Sequence, residues 1–282
     1  MTFSPFDSPI YSTIYGDSEV RALFTDSAEV RAMLLVEGTL AKVQGELGLI
    51  PLDSALYIHR ASMEVQVDPA GLAAGMAETG SPVSAMVAAF GRAMEAPDHA
   101  KYIHWGARSQ DILDTALVLR LRQYVRMLNT RLEVISDHKQ FAALEVPRRQ
   151  LQTVQTRLLV VRFIGNSGGA DSSEVEVALA AALKLSIPTD PPISAREAIV
   201  EFASVISEFT AALAKNAQSF PVSIQSEVLA AMAIFTASQF SLLQSAHPQN
   251  TVVLALEKLA LAQICIAGGV ALKHAQTMTD QV

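Results

Sequence analysis

The longest regular pattern in this sequence is an apolar stripe that begins just after Ser109. Its members recur at helical spacing over about seven turns; they are Ile112, Leu113, Ala116, Leu117, Leu121, Tyr124, Leu128, Leu132 and Ile135. A helix of this length needs other long helices to cover its apolar face. The stripe therefore predicts an all-α protein built on a bundle of long helices.

Further helical patterns extend over about 174–186, 195–217, 226–245 and 252–277. The Gly-rich string FIGNSGGADSS and the Pro-rich string IPTDPPIS separate them, because Gly and Pro interrupt regular helices. Half of the 282 residues are apolar, which is enough to bury a large core. We therefore expect a central long-helix bundle domain over residues 101–282.

The first hundred residues have shorter patterns. Asp26 and Glu29 have the spacing of a capping box, apolar positions then recur to Leu47, and Gly48 supplies a stop. Asp68 precedes a proline in the arrangement that starts a helix, and TGSPV at 79–83 interrupts the next pattern. Residues 1–100 are therefore predicted to form a smaller N-terminal helical domain.

Charge and cysteine content exclude several classes of protein. The net charge is −7 and no run of Lys and Arg occurs, so nucleic acid is not an expected partner. Cys265, the single cysteine, lies in an apolar run and is expected to be buried and inert. Glu257 and Lys258 interrupt the most apolar segment, 252–272, which indicates a helix buried in protein rather than in a membrane. The N-terminus lacks the pattern of a signal peptide, so we expect a cytoplasmic protein.

Polar residues converge in KYIHWGARSQDILDT, at 101–115, immediately before the longest stripe. Unpaired backbone N–H groups and the helix dipole favour anions at such a position, so Ser109 and the following amides are candidates to hold a carboxylate. The alternative is that Ser109 only caps the helix and His104 is an ordinary loop residue.

This string resembles the HxGxTSxD signature of the fumarase/aspartase superfamily, with His104, Gly106, Ser109 and Asp111 at the matching positions. Other strings resemble the muconate cycloisomerase branch in the same order: FDSPIYSTIYGDSEVRALFTD, GELGLIP, TGSPVSAMV, LLVVRFIGNSGG, AREAIVEFASVISEF and LALAQICIAGGVALKHA. The resemblance extends over almost the whole chain.

The resemblance implies a cycloisomerase that interconverts 3-carboxy-cis,cis-muconate and 4-carboxymuconolactone without a metal or an organic cofactor. No His, Asp, Glu or Cys cluster has the spacing of metal ligands. Another lyase of the superfamily, such as an adenylosuccinate or argininosuccinate lyase, is an alternative. A catalytically silent helical oligomer is a second alternative from a different class.

Roles follow from the same resemblance. The expected catalytic residues are His104, which binds or protonates substrate, Ser109, and Glu227 as the partner of a second histidine. Ser81 and the amides beside it are expected donors to a substrate carboxylate, Asp111 is expected to orient the signature loop within the substrate site, and Arg196 is either an anion contact or a solvated helix residue. Arg108 replaces the family's Thr. It either binds an extra carboxylate of a tricarboxylate substrate or obstructs the usual binding position of the substrate.

Two catalytic segments of the family have no counterpart in the sequence. The stretch ISDHKQFAALEVPRRQ lacks the second catalytic histidine, and no GSSxMPxKxNP loop precedes SFPVSIQSEVLAAM. Either the protein has lost these segments, or the sequence as written omits residues that are physically present. We favour omission, because a deletion within a bundle helix would shift its packing stripe. The third, C-terminal domain of the family is also expected to be absent.

Stripes of Ala and Leu cover several faces of the predicted bundle helices, which indicates burial on more than one side. For an acidic soluble protein, another subunit is the natural cover. We therefore expect a homotetramer. The small polycarboxylate that is the other expected partner is implied by the resemblance alone.

Overall fold

The structure is a computed structural model, and it describes residues 4–136, 144–166, 172–188, 195–245 and 252–280. Within these ranges the regular structure is helical, and the β structure is a single bridge between Val160 and Ser186. The predicted all-α class is confirmed.

The α-helices, numbered in chain order, include a group of short ones and a group of long ones. The N-terminal group is α1 (Ser12–Tyr15), α2 (Ser18–Ala22), α3 (Asp26–Glu46), α4 (Leu52–Glu64), α5 (Ala73–Thr79), α6 (Val83–Ala93) and α7 (Pro97–Ala100), with a 3-10 turn at Pro69–Leu72. The later group is α8 (Ser109–Ser136), α9 (Glu145–Leu158), α10 (Ser172–Leu183), α11 (Ala195–Ala217), α12 (Ile224–Ser245) and α13 (Val252–Thr279).

The long predicted helices agree with α8, α11, α12 and α13 to within about two residues, which is the usual uncertainty of helix ends. Helix α9 was not predicted. Its apolar positions Leu151, Val154 and Leu158 have helical spacing, but polar residues outnumber them, so the pattern is weak in the sequence.

Helix caps explain two of the N-terminal boundaries. The Thr25 side chain accepts a hydrogen bond from the backbone N–H of Ala28, so Thr25 caps α3 and the predicted capping role of Asp26 is wrong by one position. The Asp68 side chain accepts from the N–H of Ala70, as predicted for the cap before Pro69.

Contacts between Cα atoms divide the chain into two compact units. Unit 1 comprises Met1–Phe24, Arg122–Leu158 and Pro192–Val282; unit 2 comprises Thr25–Leu121 and Leu159–Pro191. Helix α8 therefore begins in unit 2 and continues into unit 1. Both units are discontinuous in sequence, and the domain boundary near residue 100 stays a prediction.

Unit 1 is a bundle in which α11, α12 and α13 pack against one another and α9 packs against α11. Its centre is the fully buried Tyr124, whose ring packs edge-on against Phe202. A Cβ on Gly268 would lie 2.6 Å from the Tyr124 hydroxyl, so α13 approaches α8 closely at this glycine. The hydroxyls of Thr210 and Thr236, 2.6 Å apart, join α11 to α12.

Unit 2 is built on the antiparallel pair α3 and α4, with α10 packed against α3. Small residues allow the close approach: a Cβ on Gly38 would lie 1.9 Å from Oγ of Ser62, and a Cβ on Gly45 would lie 2.3 Å from that of Ala55. The core contains Met33, Leu34, Leu40, Ile58, Met86 and Phe90, each at most 1% exposed. This packing buries one face of α3 next to the signature loop of the same unit.

Helices α12 and α13 are long and apolar enough to cross a membrane, judged by length and composition only. More than half of the apolar part of α13 is buried inside the protein, as in the core helix of a soluble protein, whereas α12 is mostly exposed. Cys265, on α13, is fully buried, as predicted.

Candidate active site

The signature loop precedes α8 in unit 2 and is held in a tight conformation. His104 and Gly106 both have positive φ, 60° and 65°. A non-glycine residue rarely adopts this region, and such residues cluster at functional sites. The side-chain amide of Gln44, on α3, donates to the carbonyl of Trp105 over 2.7 Å. The loop backbone is therefore fixed at the residue that follows His104.

Asp111 is the residue that holds this loop in place. It is only 4% exposed. Its Oδ2 accepts from the backbone N–H groups of Arg108 and Gly165, and its Oδ1 accepts from that of Ile164. The Arg108 contact is the returning half of a capping box, from the third helical residue to the position before the helix. Asp111 therefore joins the loop, α8 and the segment at Ile164–Gly165.

This geometry assigns Asp111 to positioning, as expected for its orienting role, and corrects its grouping with the substrate contacts. Its oxygens are occupied by backbone donors, and a buried carboxylate would repel an anionic substrate.

His104 faces a carboxylate that belongs to a different helix. Its Nδ1 lies 2.7 Å from Oε1 of Glu37, on α3, and the Glu37 side chain is fully buried. Burial of the imidazole lowers its pKa, but the hydrogen bond and charge of Glu37, with the charge of Asp111, outweigh that effect. The pKa of His104 is therefore raised above its ordinary value of 6.5. The imidazole is partly exposed, at 22%.

The structure corrects one prediction for Ser109. Because α8 begins at Ser109, the residue in the capping position is Arg108, and the interpretation of Ser109 as the helix cap is wrong. Among the described residues, the Ser109 hydroxyl has no hydrogen-bond partner, and it is half-buried in the first turn beside the helix amides.

Arg108 is exposed, and its guanidinium makes no ion pair with the part of the chain that the structure describes. Its side chain is therefore available to a ligand. Ser81 is also in unit 2, at the start of α6, where its hydroxyl accepts from the N–H of Val83 over 3.4 Å. No hydrogen bond joins Ser81 to the signature loop within the described ranges.

The other two predicted site residues belong to unit 1. Arg196 is neither a solvated helix residue nor free for an anion, because it forms an ion pair with the buried Glu257, on α13. The charge of Arg196 is therefore engaged within unit 1, which corrects its expected role as an anion contact. Glu227 is exposed in the first turn of α12.

Three residues of this arrangement were missed from the sequence. Glu37 and Gln44 are polar residues inside the otherwise apolar face of α3, in VEGTLAKVQGE, and that isolation was the signal that they serve a buried polar contact. Gly165, within LLVVRFIGNSGG, carried no signal beyond its residue type.

The segments without counterparts correspond to two places in the structure. The stretch before Leu151 includes residues 137–143, which lie outside the described residues. The expected site of the GSSxMPxKxNP loop is the connection from α11 to α12, which is a short turn through Ser219 and Pro221. In the described ranges, no group of three or more His, Cys, Asp or Glu residues is placed to hold a metal ion.

No family model matches the chain. Among curated proteins, it is 29% identical to the 3-carboxy-cis,cis-muconate cycloisomerase of Pseudomonas aeruginosa, over 77% of this chain and 56% of that protein. It is 28% identical to the N-acetyl-S-(2-succino)cysteine lyase of Enterococcus italicus, over 92% of this chain and 64% of that protein. The chain thus spans about three fifths of the length of these relatives.

The alignments also show internal differences in length. The match to the Pseudomonas protein extends over 257 residues, whereas 77% of 282 residues is about 217. About 40 positions within the matched part of that relative therefore have no counterpart here. This agrees with the expectation that internal segments of the family are absent from the sequence.

The fold is similar to solved structures of the same kind. The crystal structure of the 3-carboxy-cis,cis-muconate lactonizing enzyme from Pseudomonas putida superposes with a TM-score of 0.88 at 25% identity, over 97% of this chain and 76% of that one. The comparison of sequences and the comparison of folds thus both find similarity to 3-carboxy-cis,cis-muconate cycloisomerases.

Proposed function

The chain belongs to the fumarase/aspartase superfamily, and from this premise we propose that it is a cofactor-independent cycloisomerase acting on 3-carboxy-cis,cis-muconate. The product would be 4-carboxymuconolactone. The observation that supports this most is the set of groups at the start of α8: an imidazole, a guanidinium, a hydroxyl and the first helix amides, carried by a loop whose backbone Asp111 holds in place. The proposal also draws on the similarity to the cycloisomerase of P. aeruginosa.

The reaction adds a substrate carboxylate oxygen across a conjugated double bond, which forms a C–O bond and leaves a carbanion next to another carboxylate. That enediolate needs donors and cations placed in advance. The Ser109 hydroxyl and the α8 amides supply donors, and Arg108 binds the additional carboxylate of the tricarboxylate. His104 then gives a proton to the carbanion carbon.

Arg108 would thus replace the family's small hydroxyl by a cation that a tricarboxylate can use. Ser81 would contribute a further donor from the start of α6. Glu227 would act only if the second catalytic histidine is physically present, because its exposed position in the sequence as written offers it no imidazole partner among the described residues.

The decisive assay follows the loss of the conjugated diene of 3-carboxy-cis,cis-muconate in the ultraviolet. Ser109→Ala should lower kcat/KM by roughly ten- to a thousandfold, and His104→Ala by roughly a hundred- to ten-thousandfold. Ser84→Ala, an exposed serine on α6 of the same unit, is the matched control and should turn over like the wild type. Equal turnover of all variants would place the site elsewhere.

A catalytically silent oligomer is the second candidate, and the short turn between α11 and α12 favours it. If the loop and the second histidine are truly deleted, the wild type should show no turnover. An intact mass well above the 30.2 kDa of the sequence would instead indicate that the segments are present. A third candidate, another lyase of the superfamily, is favoured by the similarity to the succinocysteine lyase and predicts turnover of an amino-linked or thio-linked succinate instead.

We also propose a cytoplasmic homotetramer that associates through the long helices. The support is the apolar exposure on and beside α12, where Val222, Ile224, Ile234 and Leu242 are each at least 46% exposed. A monodisperse monomer at micromolar concentration in light scattering would contradict this.

A further inference from the structure

Glu37 is a charged residue in a place that packing alone would fill with an apolar one. Its side chain is 0% exposed, and its neighbours along α3 include the buried Leu34, Val36 and Leu40. A buried carboxylate is unfavourable unless it is paired, so its presence calls for a specific partner. That partner is His104.

The contact fixes the proton arrangement of the imidazole. A carboxylate only accepts, so the His104 nitrogen facing it, Nδ1, must carry a hydrogen and donate. The nitrogen that gains and loses a proton is then Nε2, on the opposite side of the ring. Nε2 has no hydrogen-bond partner within the described ranges, and the ring is partly exposed.

The backbone supports the same orientation. The carbonyl of His104 accepts from the N–H of Ala107 in a turn, and the next residue, Trp105, is held by Gln44. Together with the left-handed φ of His104, these contacts leave the ring little freedom apart from rotation of its own side chain. Glu37 removes that remaining freedom.

The geometry assigns to Glu37 the role of a positioning residue, which holds the Nδ1–H of His104 so that Nε2 is the atom that transfers a proton to substrate. This rests on the proposed function. In the lactonising direction the proton moves from Nε2 to the carbanion carbon, and solvent then replaces it on Nε2. In the reverse direction Nε2 takes the proton from carbon, and the imidazolium that forms faces the Glu37 carboxylate.

Two charged groups act on the ring, Glu37 from α3 and Asp111 from the start of α8. Glu37 provides both a hydrogen bond and a charge, whereas Asp111 acts through its charge alone. Neutralising Glu37 should therefore lower the pKa of His104, and it should also let the neutral ring exchange between its two tautomers.

Nuclear magnetic resonance of the ¹⁵N-labelled full chain measures both properties. The six histidines give six pairs of imidazole ¹⁵N signals, one for Nδ1 and one for Nε2 of each ring. The pair that is lost in His104→Asn belongs to His104. In the wild type, Nδ1 should stay protonated throughout the titration, with a pKa above 6.5. In Glu37→Gln the pKa should fall and the Nε2–H tautomer should appear.

Two further variants separate the specific role from general effects on α3. Glu46→Gln neutralises an exposed carboxylate on the same helix, which pairs with Lys42 at the surface, and should leave the His104 signals unchanged. Glu37→Asp keeps the charge and should retain most of the wild-type pKa. A wild-type ring with its proton on Nε2, or a folded Glu37→Gln protein with wild-type pKa and tautomer, overturns the positioning role.

Steady-state kinetics test whether Glu37 supports proton transfer by His104. Glu37→Gln should lower kcat about tenfold or more with little change in KM, and the pH dependence of kcat/KM should move in the same direction as the measured His104 pKa. Glu37→Asp should restore part of kcat. No turnover by the wild type overturns the proposed function and the proton transfer with it, while the resonance experiment still decides whether Glu37 fixes the imidazole.

Discussion

A Cβ atom placed on Gly165 would lie 2.1 Å from the carbonyl oxygen of Gly106. The neighbouring atom belongs to the backbone of the signature loop, which Asp111 and Gln44 hold in place, so it has no easy way to move. The absence of a side chain at Gly165 thus allows the segment after Val161 to approach the loop that carries His104.

Gly165→Ala should therefore destabilise unit 2 by about 2–3 kcal/mol, as overpacking against a fixed backbone does. The control is Gly71→Ala, because a Cβ atom at Gly71 would meet nothing within 4 Å. This variant should change the free energy of unfolding by less than about 1 kcal/mol. Urea unfolding followed by circular dichroism measures both. Equal midpoints for the two variants would contradict the close approach.

Asp111→Asn tests the three hydrogen bonds that join the loop to α8. Whichever way the new amide turns, an NH₂ group faces at least one backbone N–H that it cannot satisfy. We expect a loss of about 2–4 kcal/mol in the free energy of unfolding. Glu64→Gln, which breaks an exposed pair with Arg60, should change it by less than about 1 kcal/mol. An Asp111→Asn protein as stable as the control would show that the oxygens are not engaged.

His274 connects α13 to the N-terminal segment of unit 1, because its Nε2 donates to the carbonyl of Ile14 over 2.7 Å. Burial of the ring lowers its pKa below 6.5, more than the hydrogen bond to Ile14 raises it, and Lys273 lowers it further. The unfolded chain then binds the proton more readily than the folded one, so this group's contribution to stability is present above pH 6.5 and is lost as the pH falls below it.

His274→Gln keeps a donor for Ile14 but cannot be protonated. Between pH 7.5 and pH 5.5, its free energy of unfolding should fall less steeply than that of the wild type. His104 acts in the opposite sense, because its pKa is raised in the folded state and its contribution is lost as the pH rises. Parallel pH profiles for wild type and His274→Gln would show that the ring is not buried as described.

The elements that the sequence predicted well are those with a strong period. Helix α8 is amphipathic over 28 residues, so its apolar stripe is visible without any tertiary information. The sequence did not predict helix α9, because its buried positions are few and polar residues surround them. The cap of α3 was misplaced by one residue because Thr25 and Asp26 are both good capping residues, and only the backbone conformation decides between them.

The candidate site was predictable only in part, for a similar reason. His104, Arg108, Ser109 and Asp111 are neighbours in sequence, so one motif revealed them together. Glu37 lies 67 positions before His104, and no local pattern indicates that the two meet. Arg196 was misjudged because its partner, Glu257, comes from α13 and is visible only once the bundle is assembled.

The ion pair between Arg131 and Asp17 provides the last test, this time of unit 1. Asp17 is 3% exposed, and its Oδ1 accepts from the N–H of Val20 as the cap of α2. Arg131, on α8, donates to both oxygens of Asp17 and also to Glu19 and the carbonyl of Gly269. One guanidinium thus joins α2, α8 and α13.

Removal of the cation alone leaves a buried carboxylate without its counterion. Arg131→Met should therefore cost about 3–5 kcal/mol of unfolding free energy. The double variant Asp17→Asn with Arg131→Met should lose less unfolding free energy than the sum of the two single variants, with a coupling energy of about 1–3 kcal/mol. The reason is that Asp17→Asn removes the buried charge that Arg131→Met leaves without a counterion. Arg126→Met, an exposed arginine on the same helix, is the control and should be neutral to within about 0.5 kcal/mol. Additive single and double variants in urea unfolding would mean that Arg131 and Asp17 do not interact in solution, and the docking of the N-terminal segment onto α8 would then need another cause.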